Sequence, residues 1–343
     1  MSAKESFNPD PPSTPAELRG PLTSIQTQTG NRFSEVFPML ASRSNSFALL
    51  RGLDTGSSDH IGSSNNLALR GNKTVFEGIG EGGANGAMPY AFLNPGRSWP
   101  AVNSSFQQNM AFTPSWNEEQ KRFIATTMPT NTNLATRRQL LEQFEKGVQI
   151  HSPISARMDR FRGTAFDLLM GGGKFFDSFN LPERDRDRYG RGLAGDGLLL
   201  ARQMVMNGAG AAVLYHEHGG DWDMHGDIEN RMKSDTPEVD RAASAIIDDI
   251  TQNRLDAVFL LCTEFNRTPR VNGVAGRDHW PYGNVAILAG GNVRGGAVHG
   301  RTHPQGHIID GRVEQKGTLG NTLLVATGNE INPASPRVRE ILR

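Results

Sequence analysis

Residues 257–269 read AVFLLCTEFNRTP, an apolar run followed at once by a polar turn. The unbroken apolar run 257–262 predicts a strand that is buried on both faces. The turn carries Glu264 and Arg267, and residues 273–280 then read GVAGRDHW, in which Asp278 and His279 are adjacent. A carboxylate and an imidazole on a glycine-rich loop after a buried strand offer a divalent metal a hard oxygen and a borderline nitrogen.

A second polar cluster follows another apolar run. Residues 216–225 read HEHGGDWDMH, directly after the apolar residues 211–215. Its metal-ligand side chains are His216, Glu217, His218, Asp221, Asp223 and His225. Seven of the nine histidines lie between residues 216 and 307. This clustering favours a metal or acid–base site, although solvated loop histidines that fall together by chance would give the same pattern.

Helical and apolar patterns alternate along the chain. They predict helices at residues 32–41, 198–206 and 239–250, and strands at 46–53, 211–215, 257–262 and 285–288. This order is typical of an α/β layered domain with a mostly parallel sheet. Both polar clusters then follow the carboxyl ends of strands, which is where open α/β sheets bind ligands.

The remaining segments are less regular. Residues 54–71 are a small-residue loop that enters a short helix ending at Gly71, and residues 72–150 form an excursion rich in loops and helices. Polar peripheral helices are predicted at 117–128, 136–146 and 155–170. We interpret residues 1–343 as a single α/β domain.

Composition excludes several classes of protein. The 36 basic and 36 acidic residues of this 343-residue chain cancel, so a basic surface for nucleic acid is not expected. No apolar run approaches the ~20 residues of a membrane span, and the polar, proline-rich start does not read as a signal peptide. The single cysteine, Cys262, lies inside an apolar run and is expected to be a buried, inert thiol.

Taken together, these segments resemble the bacterial family called domain of unknown function 1501, a sulfatase-like branch of the alkaline phosphatase superfamily. The strongest matches are GGDWDMH (219–225) and TEFNRTPRVNGVAGRDHW (263–280), in this order. Weaker matches are residues 12–27, 33–53, 59–71, 188–209 and 286–302, whereas 72–150 match poorly. The resemblance implies a doubly wound α/β fold, with a metal site at the strand ends that acts on phosphate or sulfate esters.

The resemblance also implies roles for individual residues. The metal ligands would be Asp223, His225, Glu264, Asp278 and His279. They would hold one or two divalent ions, with Zn, Mn or Ca as the choices. Arg267 and Arg277 would clamp an oxyanion, although an ion pair between Arg267 and Glu264 is an equal alternative. Trp222 and Trp280 would form the walls of the site and keep it partly dry, or one of them would stack on substrate.

The chain departs from the family pattern at the expected nucleophile. Residues 57–71 stand where sulfatases carry a cysteine, and no cysteine is present there, so formylglycine chemistry is not expected. His60, Ser63 or Ser64 could replace it, but a serine-rich helix cap explains the serines equally well. Asp59 and His60 are further candidate ligands. His299, His303 and His307 lie in a loop that could supply one more ligand or be solvated.

A second departure concerns the start of the sequence. Family members begin with an apolar strand and a turn that would precede residues 5–9. We therefore expect the first strand, and any export signal before it, to be missing from the sequence given. Family members are often exported to the periplasm or beyond the cell, so the resemblance suggests the same location here.

Three functions follow as hypotheses. The first is a metal-dependent hydrolase that acts on a small-molecule or glycan ester. The second is a non-catalytic descendant that binds a metal or an anionic glycan. The third is a truncated, inactive domain with exposed strand edges. Fold resemblance alone does not choose among them, because function resides in sites rather than folds.

Overall fold

The protein is a mixed α/β structure with one central sheet and several two-stranded sheets. A computed structural model describes residues 1–70, 73–75, 90–94, 113–124, 139, 143, 173–217 and 222–343. The helices of these residues are α1 Ala16–Arg19, α2 Pro38–Ala41, α3 His60–Ala68, α4 Gly173–Phe176, α5 Glu183–Tyr189, α6 Leu193–Met206, α7 Ile228–Thr251 and α8 Gly320–Ala326.

The strands of the described residues are mostly short. They are β1 Ser24–Gln26, β2 Arg32–Ser34, β3 Ala48–Asp54, β4 Leu69–Arg70, β5 Lys73–Thr74, β6 Tyr90–Leu93, β7 Ser115–Asn117, β8 Arg122–Ile124, β9 Ala211–Leu214, β10 Val258–Cys262, β11 Asn266–Arg267, β12 His279–Trp280, β13 Asn284–Gly290, β14 Val298–His299, β15 Arg301–Thr302, β16 Ile308–Asp310 and β17 Val313–Glu314.

The central sheet has five strands in the order β10–β13–β3–β14, with β17 also paired to β3. β13 runs antiparallel to both β10 and β3, whereas β14 and β17 run parallel to β3. β3 and β10 therefore point the same way, and their carboxyl ends reach the same edge. The α/β class is confirmed, but the predicted mostly parallel sheet is not, because β13 is antiparallel to both of its neighbours.

Strand β3 is buried on both faces because apolar layers cover the sheet on both sides. Leu49 packs in a cluster with Phe33 and with Ile247 of α7. Its neighbour Leu50 packs in the opposite cluster, with Leu319 and other carboxyl-terminal residues. Successive side chains of a strand point to opposite faces, so one strand contributes to both layers. The sheet is therefore the middle layer of a three-layer arrangement.

Two helix–strand units lead to the candidate site. Helix α6 is followed by β9, which pairs in parallel with β6. Helix α7 is followed by β10, and the two helices pack against each other. None of the helices in the described parts of the chain is long and apolar enough to cross a membrane.

Most predicted elements of the core are confirmed. The strands predicted at 46–53, 211–215, 257–262 and 285–288 correspond to β3, β9, β10 and β13. The helices predicted at 198–206 and 239–250 form the second halves of α6 and α7. The apolar residues of β3, β13, α6 and α7 are buried in the clusters, and those of β9 and β10 are half-buried against them, which is why the pattern predicts these segments well.

Two helix predictions are wrong, and tertiary pairing explains both. Residues 32–34 form β2 against β1, and the helix begins only at Pro38, which suits the first turn of a helix. Residues 115–124 form the hairpin β7–β8, in which the rings of Trp116 and Phe123 meet with centroids 5.4 Å apart. Of the helix predicted at 136–146, the structure describes only Gln139 and Gln143, both helical, and the helix at 155–170 lies outside the described residues.

Asp240 joins α7 to α2 and should make stability depend on pH. Its two carboxylate oxygens accept hydrogen bonds from the backbone nitrogens of Met39 and Leu40, each at 2.9 Å. Burial raises the pKa of Asp240 to about 6, above its ordinary value of 3.8. The folded state therefore holds a proton that the unfolded state releases between these two values, so this contribution to stability is full below pH 3.8 and is lost as pH rises through about 6.

We expect Asp240→Asn to remove this pH-dependent contribution to stability. Relative to the parent protein, the variant should gain about 2 kcal/mol in the free energy of unfolding as the pH is raised from 4 to 7. Urea denaturation at a series of pH values measures it. Asp310→Asn, at an exposed position, removes the same charge and is the control. If the free energy of unfolding depended on pH in the same way for the Asp240 variant and the parent protein, the raised pKa of Asp240 would be contradicted.

Candidate metal centre

Three imidazoles surround the carboxylate of Asp223 at the carboxyl ends of β3, β9 and β10. His60 is the first residue of α3, which follows β3. Asp223 and His225 lie in the loop between β9 and α7, and His279 begins β12. The structure therefore brings together side chains from three separate parts of the chain.

Backbone contacts hold these loops against each other. β11 and β12 pair so that Arg267 lies opposite His279, and an isolated bridge joins Gly226 to Ala275. At Gly276 the loops approach so closely that a Cβ atom would lie 2.1 Å from the carbonyl carbon of His225. Only glycine permits this contact, which explains the glycine in the GRDHW segment.

The ring nitrogens and the carboxylate converge closely. The Nε2 atoms of His225 and His279 are 3.1 Å apart. Each lies close to Oδ1 of Asp223, at 3.1 Å for His225 and 3.0 Å for His279. His60 approaches the other oxygen of Asp223, with its Nε2 atom 3.5 Å from Oδ2. One ligand atom from each of His60, Asp223 and His279 lies within 4.8 Å of the other two.

On the side away from Asp223, an oxygen atom contacts Nδ1 of each of the three rings. Asp278 Oδ1 is 2.8 Å from Nδ1 of His225, and Glu264 Oε1 is 3.1 Å from Nδ1 of His60. The backbone oxygen of Ser58 is 2.8 Å from Nδ1 of His279. A neutral imidazole with its proton on Nδ1, facing the oxygen acceptor, would turn the lone pair of Nε2 towards Asp223. Metal-binding histidines are oriented in this way.

The donor set fits a small divalent cation. In a tetrahedral zinc site with bonds of ~2.0 Å, neighbouring ligand atoms are ~3.3 Å apart. The triangle formed by His225 Nε2, His279 Nε2 and Asp223 Oδ1 has sides of 3.1, 3.1 and 3.0 Å. Two lone pairs facing each other at this distance repel unless a proton or a cation lies between them. The spacing of these three atoms therefore suits a metal ion.

Asp223 is also the ion-pair partner of Arg267. Partial burial acts to raise the pKa of Asp223, but opposing effects, the largest of which is the hydrogen bond from Arg267, hold the pKa well below its usual range. The guanidinium of Arg267 is 2.5 Å from Oδ1 and also donates to the backbone oxygens of Trp222 and Arg277. Arg267 is buried, so it fixes the position of Asp223, and the alternative ion pair with Glu264 is not formed.

Arg277 does not reach the cluster. Its side chain is fully buried and donates to both carboxylate oxygens of Glu5, at 2.7 to 3.0 Å. Its remaining donors contact the backbone oxygens of Leu18, Thr268 and Pro269. The residue therefore ties the amino-terminal segment to the loop that carries Asp278 and His279, and none of its donors is left for an oxyanion.

Two of the predicted ligands, Glu264 and Asp278, contact the imidazoles on the side away from Asp223. Glu264 and Asp278 contact the Nδ1 atoms of His60 and His225, while the side that faces Asp223 is formed by imidazoles. His60, predicted as a nucleophile or an extra ligand, joins the converging atoms instead. Asp59 caps α3, because its carboxylate accepts a hydrogen bond from the backbone nitrogen of Gly62 at 2.7 Å. The carboxylate is therefore directed towards the helix.

The serine candidates are enclosed. Ser63 is buried and donates to the backbone oxygen of Ser57 at 2.7 Å. Ser64 is buried and lines the cavity beside His60. Cys262, predicted to be buried, is half-buried and lines the cavity, and desolvation raises the pKa of its thiol to about 12.

The other predicted residues surround the site or lie elsewhere. Trp222 lines the cavity beside the cluster and donates to Nδ1 of His216 at 2.9 Å. Trp280 packs on Tyr282. His299 contacts the backbone of Gly311. His303 and His307 are exposed, and His218 and Asp221 lie outside the described residues.

Comparison with known proteins identifies a family whose description names no activity. A family profile described as "Protein of unknown function (DUF1501)" matches residues 2–337, nearly the whole chain. Neither curated proteins nor solved structures gave a match.

Proposed function

Since the chain belongs to the DUF1501 family, whose description gives no activity, we propose a function from the geometry of its site. The proposal is a metal-dependent hydrolase of phosphate or sulfate esters, built on an alkaline-phosphatase-like α/β fold. The substrate would be a small-molecule or glycan ester. One observation carries it: three imidazoles, each held from behind at Nδ1, direct Nε2 towards one carboxylate.

Three nitrogens and one oxygen favour zinc among the candidate cations. Calcium takes six to eight oxygen ligands, whereas zinc and manganese accept imidazole. We propose His60, His225, His279 and Asp223 as the ligands. Glu264 and Asp278 orient two of the rings through Nδ1, and Arg267 keeps Asp223 ionised and in place.

The chemistry would be a direct attack by water. When bound, the cation would supply positive charge that polarises an ester oxygen. Ser63 donates to the backbone oxygen of Ser57, and the attacking oxygen we propose is that of water. Water would form a bond to phosphorus or sulfur, the bond from that atom to the ester oxygen would break, and the released alcohol oxygen would take the proton that water loses. Trp222 keeps one wall of the site apolar and limits the access of bulk water.

A second candidate is a metal-binding protein without turnover. It is favoured by the arginines, since both guanidinium groups expected to clamp an oxyanion are buried in other contacts. In this case the same four residues would hold the metal, and neither Arg267 nor Arg277 would bind the negative charge of an ester.

Metal content and turnover, measured on the same samples, separate these proposals. The protein is stripped with a chelator, reloaded with zinc, manganese or calcium, and analysed by elemental mass spectrometry. We expect ~1 zinc per chain and hydrolysis of p-nitrophenyl phosphate or sulfate only in the reloaded form. Zinc without hydrolysis would support the second candidate. A folded protein that retains no metal would reject both.

A further inference from the structure

A cavity of about 740 Å³ lies between β9 and β10. All four residues of β9 and all five residues of β10 line it. It begins beside the candidate metal centre, because His60, Asp223 and Glu264 also line it. Its far end reaches Asp256 and Asn292, two exposed residues that lie just before β10 and just after β13. The cavity therefore extends from the metal centre along the whole length of β10.

The middle of the cavity is lined by apolar side chains. The residues of β9 read AAVL and those of β10 read VFLLC. Leu198 of α6 and Ile246 of α7 line one face of the cavity, and Leu319 and Leu323 line the other. The hydroxyl groups of a sugar would lose their hydrogen bonds to water here and find no polar side chain in return. The lining therefore favours a hydrocarbon over a glycan.

Strand β10 is incompletely packed even though apolar clusters flank it on both faces. All five of its residues are half-buried. Phe259 packs in one cluster with Ile246, and Leu260 packs in the other with Leu323. The surface that remains accessible therefore lies towards the cavity. Transfer of an apolar group from water onto such a surface is favourable, and cavities of ~300–1,000 Å³ with an apolar lining and a few polar groups are typical ligand sites.

The length of β10 sets the length of hydrocarbon that the cavity can hold. Five residues of a strand span ~16 Å. An extended alkyl chain advances ~1.25 Å per carbon, because bonds of ~1.5 Å meet at ~111°. A chain of roughly twelve carbons would therefore reach from the metal centre to the far end of the cavity.

We propose that the cavity holds the alkyl tail of the substrate, which is a phosphate or sulfate monoester of a long straight-chain alcohol with its charged head at the metal centre. This assignment rests on the proposed function, because the head is placed at the four proposed ligands of the cation. Ligand and site match in polarity, since ionisable side chains lie at one end of the cavity and apolar side chains along it. Hydrolysis would transfer the hydroxyl of water to phosphorus or sulfur and its proton to the alcohol oxygen, which leaves as the bond to it breaks.

Val213 is the position at which the cavity can be filled with least disturbance of the core. It lies within β9 and lines the cavity, yet it belongs to none of the apolar clusters formed by the described residues. Its neighbours Ala212 and Leu214 pack in the cluster of Leu200 instead. Because successive side chains of a strand point to opposite faces, a larger side chain at Val213 would point away from that cluster.

Binding of butyl-, hexyl-, octyl- and decylphosphonate, below the concentrations at which they form micelles, tests the proposal by isothermal titration calorimetry. Their carbon–phosphorus bond is not hydrolysed, so binding is measured without turnover. A phosphonate with an ethylene glycol tail of octyl length is the polar counterpart. Each ligand is titrated into zinc-loaded and chelator-stripped protein, and zinc content and hydrolysis of p-nitrophenyl phosphate are measured on the same samples.

Two variants complete the experiment. Val213→Trp fills the cavity, and Val298→Trp makes the same change at an exposed position of β14. Strand β14 pairs with β3, at the edge of the central sheet opposite to β10, so the control substitution is remote from the cavity. Circular dichroism shows whether both variants are folded.

We expect affinity to rise about threefold for each added methylene, and thus at least about a hundredfold from butyl- to decylphosphonate. The glycol tail should add little. Val213→Trp should remove most of the rise with chain length, and Val298→Trp should keep it.

Affinity that does not depend on chain length would overturn the proposal, even in a protein that binds zinc and hydrolyses p-nitrophenyl phosphate. Equal binding of the octyl and glycol tails, or a rise that persists in folded Val213→Trp, would overturn it as well. Tighter binding of an apolar pentapeptide than of decylphosphonate would assign the cavity to a peptide instead. A rise with chain length in a protein that retains no zinc would support the tail site and show separately that the hydrolase proposal fails.

Discussion

Replacing Arg277 by methionine should lower the free energy of unfolding by about 3–5 kcal/mol. Arg277 and Glu5 are buried together, at 0 % and 1 % side-chain exposure. The substitution leaves the carboxylate of Glu5 without a cation in a place that water does not reach. It also leaves the backbone oxygens of Leu18, Thr268 and Pro269 without a donor. The cost comes mainly from these unsatisfied groups rather than from the lost attraction.

Urea denaturation of three variants checks this result. Arg270→Met, at an exposed position of the same loop, should change stability by less than ~0.5 kcal/mol. The double variant Glu5→Leu with Arg277→Met removes both charges and should recover part of the loss. If Arg277 instead clamped an oxyanion, its substitution would reduce turnover and leave the midpoint of unfolding unchanged. That outcome would reject the structural role.

Replacing Asp223 by asparagine should weaken zinc binding by at least about a hundredfold. The substitution preserves shape but removes the negative charge on which His60, His225 and His279 converge. A carboxylate ligand offsets the charge of the cation, and an amide oxygen does not. Competition with a chromophoric chelator measures the affinity, and circular dichroism shows whether the variant is folded.

Asp278→Asn is the matched control. Asp278 contacts His225 from behind, and an amide oxygen in its place can still accept from Nδ1. Loss of such an orienting group typically costs ten- to a hundredfold in metal affinity, so Asp223→Asn should be the more damaging variant. The reverse ranking would make Asp278 the ligand, as the sequence predicted, and would contradict the arrangement proposed here.

Several of the candidate residues predicted from the sequence lie close together in the structure, but the sequence did not indicate which contacts each side chain makes. The adjacent Asp278 and His279 read as a pair of ligands. In the extended segment that leads into β12, however, successive side chains point to opposite sides. His279 therefore faces Asp223, while Asp278 faces the back of His225. The direction of each side chain depends on pairing between β11 and β12, which the residue types do not encode.

Arg277 shows a second reason why the sequence alone does not predict the contacts of a side chain. Its partner Glu5 is 272 positions away in the sequence, and no local pattern connects the two residues. Segments with a regular apolar pattern, such as the second half of α7 and β10, could be predicted because they pack against the apolar clusters. The strands β2, β7 and β8 could not, because they depend on a partner strand rather than on their own periodicity.

The separation in sequence between β3 and its partners has a consequence for biosynthesis. The strands that flank β3, which comprises Ala48–Asp54, are β13, β14 and β17, and they lie between residues 284 and 314. The central strand must therefore leave the ribosome long before any of these partners has been translated. Sheets built from such distant segments fold slowly and expose apolar edges meanwhile. This chain should consequently depend on chaperones during its synthesis and complete its central sheet only after translation is nearly finished.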